Sequence, residues 1–217
     1  MRRKPAEDRK ADIVEAVLTL ADQIGPDRLT TNDVARAVNV TQAAIFRHFP
    51  SKGALWAAVG GALSQRMGDA WAKAAIETAD AGPEQRLRAL VAAQLGQIER
   101  CPALPAILHS RELGVDNAVL RDGCQTLMLT FLGLLAGELA AMKAQGALRS
   151  ELAPEDGAML LISLIQGLSI RWTLGARNFA LPAEGLRMFD IQLDLFRLAQ
   201  QGNRGGENDN HRKGSAA

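Results

Sequence analysis

Tyrosine is absent from the 217 residues, aromatic residues together reach only 4%, and cysteine occurs twice. So few aromatics, set among abundant alanine and leucine, favour helix over strand. Cys101 and Cys124 form no CxxC pair and no Cys/His ladder, which argues against a disulfide framework and a structural zinc site. Excess charge is also missing. The formal net charge is +1, so the chain is no polycation, and any nucleic-acid surface must be a local patch. The opening residues MRRKPAEDRK carry no apolar segment behind them, so no secretory signal is expected and the expected compartment is the cytoplasm. The longest uncharged runs, 123–137 and 157–170, fall short of the ~18–20 residues that span a bilayer. They are expected to be helices buried in protein, with no membrane partner. No Ser/His/Asp set, phosphate-cradling glycine loop or carboxylate pair stands out, so neither catalytic residues nor a cofactor are expected. His109 and Glu112 lie one helical turn apart but lack a third ligand, and no metal site is expected there.

What the sequence does have is helical text with frequent punctuation. Ile13, Val14, Val17, Leu20, Ala21 and Ile24 follow the helical period until Gly25 and Pro26 stop it. Thr30 or Thr31 can cap a short second helix, with Asp33 in its first turn. Thr41 caps a third that ends near Phe49 and Pro50, and Ser51 caps a long fourth that fades around 80–83. Longer helices are predicted near 84–100, 103–113, 117–145, 155–175 and 183–200. No segment alternates with period two, so no sheet is predicted. The fold class is all-α. Residues 1–52 are expected to form a three-helix domain with a basic arm, 53–201 a helical bundle, and 202–217 a disordered tail.

The stretch from Thr30 to Lys52, TTNDVARAVNVTQAAIFRHFPSK, has the spacing of a helix-turn-helix. Ala35 is small where two helices cross, Asn39 tolerates the left-handed turn, and Ile45 faces the core. Val34, Val38, Val40, Ile45 and Phe49 make the buried side. Gln42, Ala43, Phe46 and Arg47 are left on the opposite face, starting at a helix N-terminus as in a helix that reads the major groove. Gln42 suits adenine, and Ala43 or Phe46 suits a thymine methyl. The helix starts behind Thr31, Thr41 and Ser51, together with His48 and Lys52, suit phosphates. In the arm, Arg2, Arg3, Lys4, Arg9 and Lys10 can track the backbone or enter a minor groove.

The segment LTTNDVARAVNVTQAAIFRHFPSKGALWAAV resembles the DNA-binding domain of the TetR/AcrR family of bacterial transcriptional regulators, over about residues 9–60. CPALPAILHSREL and IQGLSIRWTLGARNF are weaker echoes of the family's C-terminal domains. The resemblance implies a homodimeric repressor that binds a palindromic double-stranded operator and is released by a small-molecule effector. It also implies a C-terminal bundle that serves effector binding and dimerisation. Met128, Phe131, Gln166 and Trp172 are the candidate effector-pocket residues, and the last two long helices are the expected dimer interface. Phe46 stands where the family usually has Tyr, and so lacks the hydroxyl that reaches phosphate. Asn39 stands where Gly is common. The alternative is a DNA-bound adaptor that recruits a protein partner and has no ligand pocket. A closed apolar cavity of a few hundred Å³ is expected for the first, and a solid bundle with an exposed apolar groove for the second.

Overall fold

The computed structural model describes residues 6–197; the basic arm before residue 6 and the predicted tail lie outside them. Ten α-helices occur among the described residues, with no strand and a single isolated bridge between Leu148 and Arg197. The three-helix head is α1 (Ala6–Ile24), α2 (Thr31–Ala37) and α3 (Gln42–His48). Helix α1 starts earlier than its apolar period does, with Glu7 and Asp8 in its first turn where the helix dipole favours acids. Its buried stripe is Ile13, Val14, Val17, Leu18 and Ala21, and it ends at Gly25, whose φ of 85° no L side chain adopts easily.

Thr30, not Thr31, caps α2, in a capping box. Its hydroxyl accepts from the Asp33 amide at 3.2 Å, and its own amide donates to Asp33 Oδ2 at 3.0 Å. Asn39 makes the turn with φ of 53°. Thr41 and Ser51 cap α3 and α4 (Lys52–Glu77), each accepting from the third amide of its helix. Val34, Ile45 and Phe49 are buried as expected, whereas Val38 and Val40 are half-buried at the rim.

The bundle comprises α4, α5 (Pro83–Arg100), α6 (Ala103–His109), α7 (Arg111–Asp116), α8 (Ala118–Ala144), α9 (Pro154–Leu174) and α10 (Leu181–Phe196). The single helix expected over 103–113 is two. Ser110 is extended between them, and its hydroxyl accepts from the Leu113 amide at 3.0 Å while donating to Asp27 of the head. The bundle core centres on Leu87, Leu95, Leu135, Leu139 and Phe189. Gly185 allows α10 to approach α5 closely, because a Cβ there would lie 2.4 Å from Leu95 Cδ1.

The two apolar runs are not as buried as expected. They lie within helices of 27 and 21 residues, long and apolar enough by length and composition to cross a membrane. Only 22% and 44% of their most apolar windows are buried. Breaks in the charge-free run had hidden the length, since α8 continues through Glu138 and Lys143 without interruption.

Candidate nucleic-acid interface and the cavity behind it

Helix α3 is only seven residues long, too short to persist alone. It is held by Ile45, fully buried against the head core, and by the caps at both of its ends. That anchorage leaves Gln42, Ala43, Phe46 and Arg47 exposed together, with Phe46 40% accessible despite being a large apolar residue. Thr41 and Lys52 are also exposed, and His48 is half-buried. Thr31, at the start of α2, has a side chain only 9% exposed, and its Oγ1 accepts a 2.7 Å hydrogen bond from Gln42 Nε2. It therefore touches the proposed base reader rather than presenting a side chain to solvent.

The electrostatics of the head are lopsided. Asp33 is consumed by Thr30 and Arg36, and Asp27 accepts from Ser110. The Thr30 side chain, ahead of its backbone amide and Arg36, holds the Asp33 carboxyl below the usual carboxylate range. Arg28, Arg47 and Lys52 make no ion pair with any described residue, and Arg47 on α3 with Lys52 at the start of α4 leaves unpaired positive charge beside the α3 face although the whole chain is near neutral. Arg28 was not singled out from sequence. It lies before the helix-turn-helix pattern, and only the folded geometry reveals that it lacks an acid.

Behind the head, α4, α5, α6, α8 and α9 line a partly open cavity of about 70 Å³ that reaches the surface at His109 and Met128. Met128, Phe131 and Gln166 line it, together with Trp71, Gln94 and Leu104. Trp172 does not. It is buried between α9 and the following loop, with Nε1 donating to the Phe179 carbonyl at 3.0 Å. The cavity is smaller than the few hundred Å³ expected. Its lining includes no Lys, Arg, Asp or Glu, and the Gln166 amide bonds to no described residue. Gln94 accepts from Trp71 Nε1 at 3.0 Å, and Trp71 stacks on Phe131 with centroids 5.0 Å apart. Gln94 was legible in principle: it interrupts the stripe Leu87, Leu90, Val91, Leu95 and Ile98, and a polar residue at a core position signals a special task. Cys124 also lines the cavity, and burial pushes its thiol upward, away from a reactive thiolate. Burial likewise dominates at Cys101. No group of three or more potential metal ligands occurs among the described residues.

Comparison with known proteins points the same way as this geometry. Residues 13–59, which span α1 to the start of α4, match the bacterial regulatory proteins of the tetR family. The chain is 27% identical over 201 residues to the HTH-type transcriptional regulator TtgR of Pseudomonas putida, covering 91% of this chain and 95% of that one. It is 26% identical over 205 residues to the HTH-type transcriptional repressor BepR of Brucella suis, covering 91% and 97%. Among solved structures, a TetR transcription regulator from Haloarcula marismortui superposes with a TM-score of 0.73 at 20% identity, covering 88% of this chain and 100% of the other. Thermus thermophilus FadR, a TetR-family repressor solved with lauroyl-CoA, superposes at 0.61 with 22% identity, covering 91% and 100%. The family match over the helix-turn-helix head, the similarity along nine-tenths of the chain to transcriptional regulators and the shared helical fold together support membership of the TetR family of bacterial regulatory proteins.

Proposed function

We propose that the protein is a homodimeric repressor that binds a palindromic operator and leaves it when a small molecule occupies the C-terminal bundle. The observation that carries this proposal is the exposed α3 face, with the unpaired cations Arg47 and Lys52 on and beside it. Such a face has no packing role, yet it presents an amide, an apolar ring and a guanidinium from one helix N-terminus, the arrangement that reads base edges while phosphates fix the register. Gln42, Ala43, Phe46 and Arg47 would enter the major groove. Thr41, His48 and Lys52 would meet the backbone, and Thr31 would serve through Gln42.

Dimerisation is supported by the exposed stripe of α9. Leu160, Ser163, Gly167, Ile170 and Leu174 recur at alternating steps of three and four, the spacing of a helix–helix seam. On α10, Ile191 and Leu195 are exposed as well, while Phe189, Leu193 and Phe196 are committed to the core. Self-association also accounts for an apolar surface that would otherwise meet water, so the adaptor alternative is not advanced.

Release is supported by the path from cavity to head. Leu104, Pro105 and Leu108 of α6 line the cavity, α6 packs on α1, and Ser110 bonds to Asp27. A ligand that widened the cavity would push α6 against the head. Apart from His109 the lining carries no basic side chain, and no Lys or Arg is there to hold the phosphates of a ligand such as the lauroyl-CoA bound by the Thermus protein.

The test is selection of bound duplexes from a random pool, followed by titration of the winner at several salt concentrations. The expected site is an inverted repeat with half-sites about one helical turn, ~34 Å, apart. Affinity should fall steeply with salt, because phosphate contacts release counterions. No enriched repeat, or a salt-independent affinity, would overturn the proposal.

A further inference from the structure

Helix faces that meet water ordinarily carry charge. Helix α10 does so, with Arg187, Asp190 and Asp194 among its exposed residues. Helix α8 does not. From Thr126 to Ala144 each of its exposed residues is uncharged. The two charged residues of this stretch are half-buried and already engaged. Glu138 pairs with Arg86 at 2.8 Å, and Lys143 Nζ donates to the carbonyls of Ser150 and Leu152, both at 2.8 Å. The outermost line of the face is Thr126, Leu129, Gly133, Gly137, Ala140 and Ala144, at steps of three and four, and Leu129 on it is 58% exposed. An apolar strip of this length left in water marks a contact surface.

The line is lopsided along its length. Its bulk lies in the N-terminal half, at Thr126 and Leu129, while the C-terminal half is glycine and alanine. A Cβ at Gly133 or Gly137 would meet nothing within 4 Å, so packing inside the protomer does not account for either glycine. A second α8 laid antiparallel across the first, with a two-fold axis at Gly133, does account for them. Positions equally far on either side of the axis then oppose one another, so Leu129 of each copy lies over Gly137 of the other, and Thr126 over Ala140. Large meets small at each step. The contacts are also reciprocal, as an interface between identical copies requires. Parallel pairing would instead set Leu129 on Leu129 and leave a gap at Gly137. Arg121 and Asp122, paired with each other, fall at the rim.

The strip is about 27 Å long and ~10 Å wide, so two copies would bury ~540 Å², under half of the ~1,200 Å² that a stable interface needs. It is too small to hold two lone protomers, but it can join dimers formed through another face, above all where neighbouring DNA sites hold them side by side. We infer that the outward face of α8 is a second self-contact, an antiparallel α8–α8 pairing centred on Gly133 that joins one dimer to another. This rests on the homodimer proposed above, whose α9 seam is a different face.

The test is sedimentation velocity of the full-length protein from micromolar to millimolar concentration. The wild type should pass from two copies to four as concentration rises. Gly137→Glu should raise the concentration needed by about tenfold or more, because it sets a charge against Leu129 of the other copy. The lone protomer has room for this side chain, and helix propensity favours it over glycine, so the variant folds. Leu129→Lys, also at an exposed position, should weaken association to the same degree. Combining the two substitutions sets opposite charges across the antiparallel contact and should recover most of the loss. The inference is overturned if the wild type keeps one mass throughout, if Gly137→Glu associates as the wild type does, or if the double variant is as weak as the single ones. A constant mass together with sedimentation on neutral phosphatidylcholine vesicles would assign the strip to lipid and overturn it equally. A passage from one copy to two, abolished by Gly137→Glu, would uphold the α8 contact and sink the homodimer built on α9. A passage from two copies to four that Gly137→Glu leaves unchanged would do the reverse.

Discussion

At the scale of single residues, the head depends on contacts that the sequence shows only in part. Gln42 as base reader follows from helix spacing alone, but its hydrogen bond to Thr31 crosses from α3 to α2 and has no local signature. That bond has a consequence for reading. A glutamine amide has two donor hydrogens, so one can stay on Thr31 while the other and the carbonyl oxygen meet adenine. Holding the side chain beforehand reduces the rotamer entropy lost on binding. Gln42→Ala should therefore cost ~1–3 kcal/mol on the cognate duplex and hardly change affinity for scrambled DNA. Thr31→Val, which keeps the shape and deletes the acceptor, should cost ~0.5–1.5 kcal/mol, again on the cognate duplex only. Equal losses on both duplexes would move both residues from reading to positioning. Asn39 provides a separate test of the turn. Its φ of 53° strains any residue with a Cβ and no locally bonding amide, so Asn39→Ala should destabilise the protein by ~1–2 kcal/mol in urea melts, while Asn39→Gly should be nearly neutral.

At the scale of helices, legibility followed the source of each signal. Helices α2, α3 and α4 carry their own caps, and Thr30, Thr41 and Ser51 start them where a cap rule places them. The break between α6 and α7 was not legible, because Ser110 is turned out of the helix by a partner 83 residues away, Asp27. The first turns of α1 were also missed, since Glu7 to Lys10 are polar and show no apolar period. Helices α8 and α9 posed the opposite problem. Both are apolar around much of their circumference, so periodicity could not say which face is core, and the small, seam-like residues of α9 divided unexpectedly. Ser169 is buried with its hydroxyl on the Ile165 carbonyl, whereas Ser163 and Gly167 face out. The outward face yields a prediction. Ile170 is 43% exposed in a lone protomer, so lysine is tolerated there unless a second copy covers it. Ile170→Lys should leave thermal unfolding of the head unchanged, convert a dimer into a monomer by light scattering, and weaken operator binding by at least ~100-fold as the two heads become independent. A wild-type mass for this variant would remove α9 from the interface.

At the scale of the whole molecule, the head is tied to the bundle at points that lie far apart in the chain. Ser110 of the α6–α7 junction bonds to Asp27, Arg66 of α4 pairs with Glu15, and Arg177 in the loop after α9 pairs with Asp22 near the end of α1. The last of these is the most built. Ala176 and Arg177 both take positive φ, 52° and 60°, an unusual backbone for residues with a Cβ. The turn places the Arg177 guanidinium 5.3 Å from the Trp172 ring centre, with Nη1 donating to Asp22 Oδ2 at 3.0 Å. Trp172, expected in the cavity, thus supports a strut between the loop after α9 and the helix-turn-helix head. The strut is partly exposed, so its contribution to global stability should be small, on the order of the ~0–1 kcal/mol of surface pairs. Its effect on geometry should be larger. In the proposed dimer two heads would meet successive grooves at a fixed separation, and a loosened head would have to be re-ordered at each binding event. Arg177→Ala is therefore expected to leave the dimer mass and urea midpoint nearly unchanged, while weakening operator affinity by about threefold to tenfold. Asp22→Ala should do the same, and the double variant should be no worse than either single one, because both remove one interaction. The cycle is read by operator titration at low and high salt. Additive losses would show that Asp22 and Arg177 act apart, and that the head is oriented by α6 and α4 alone.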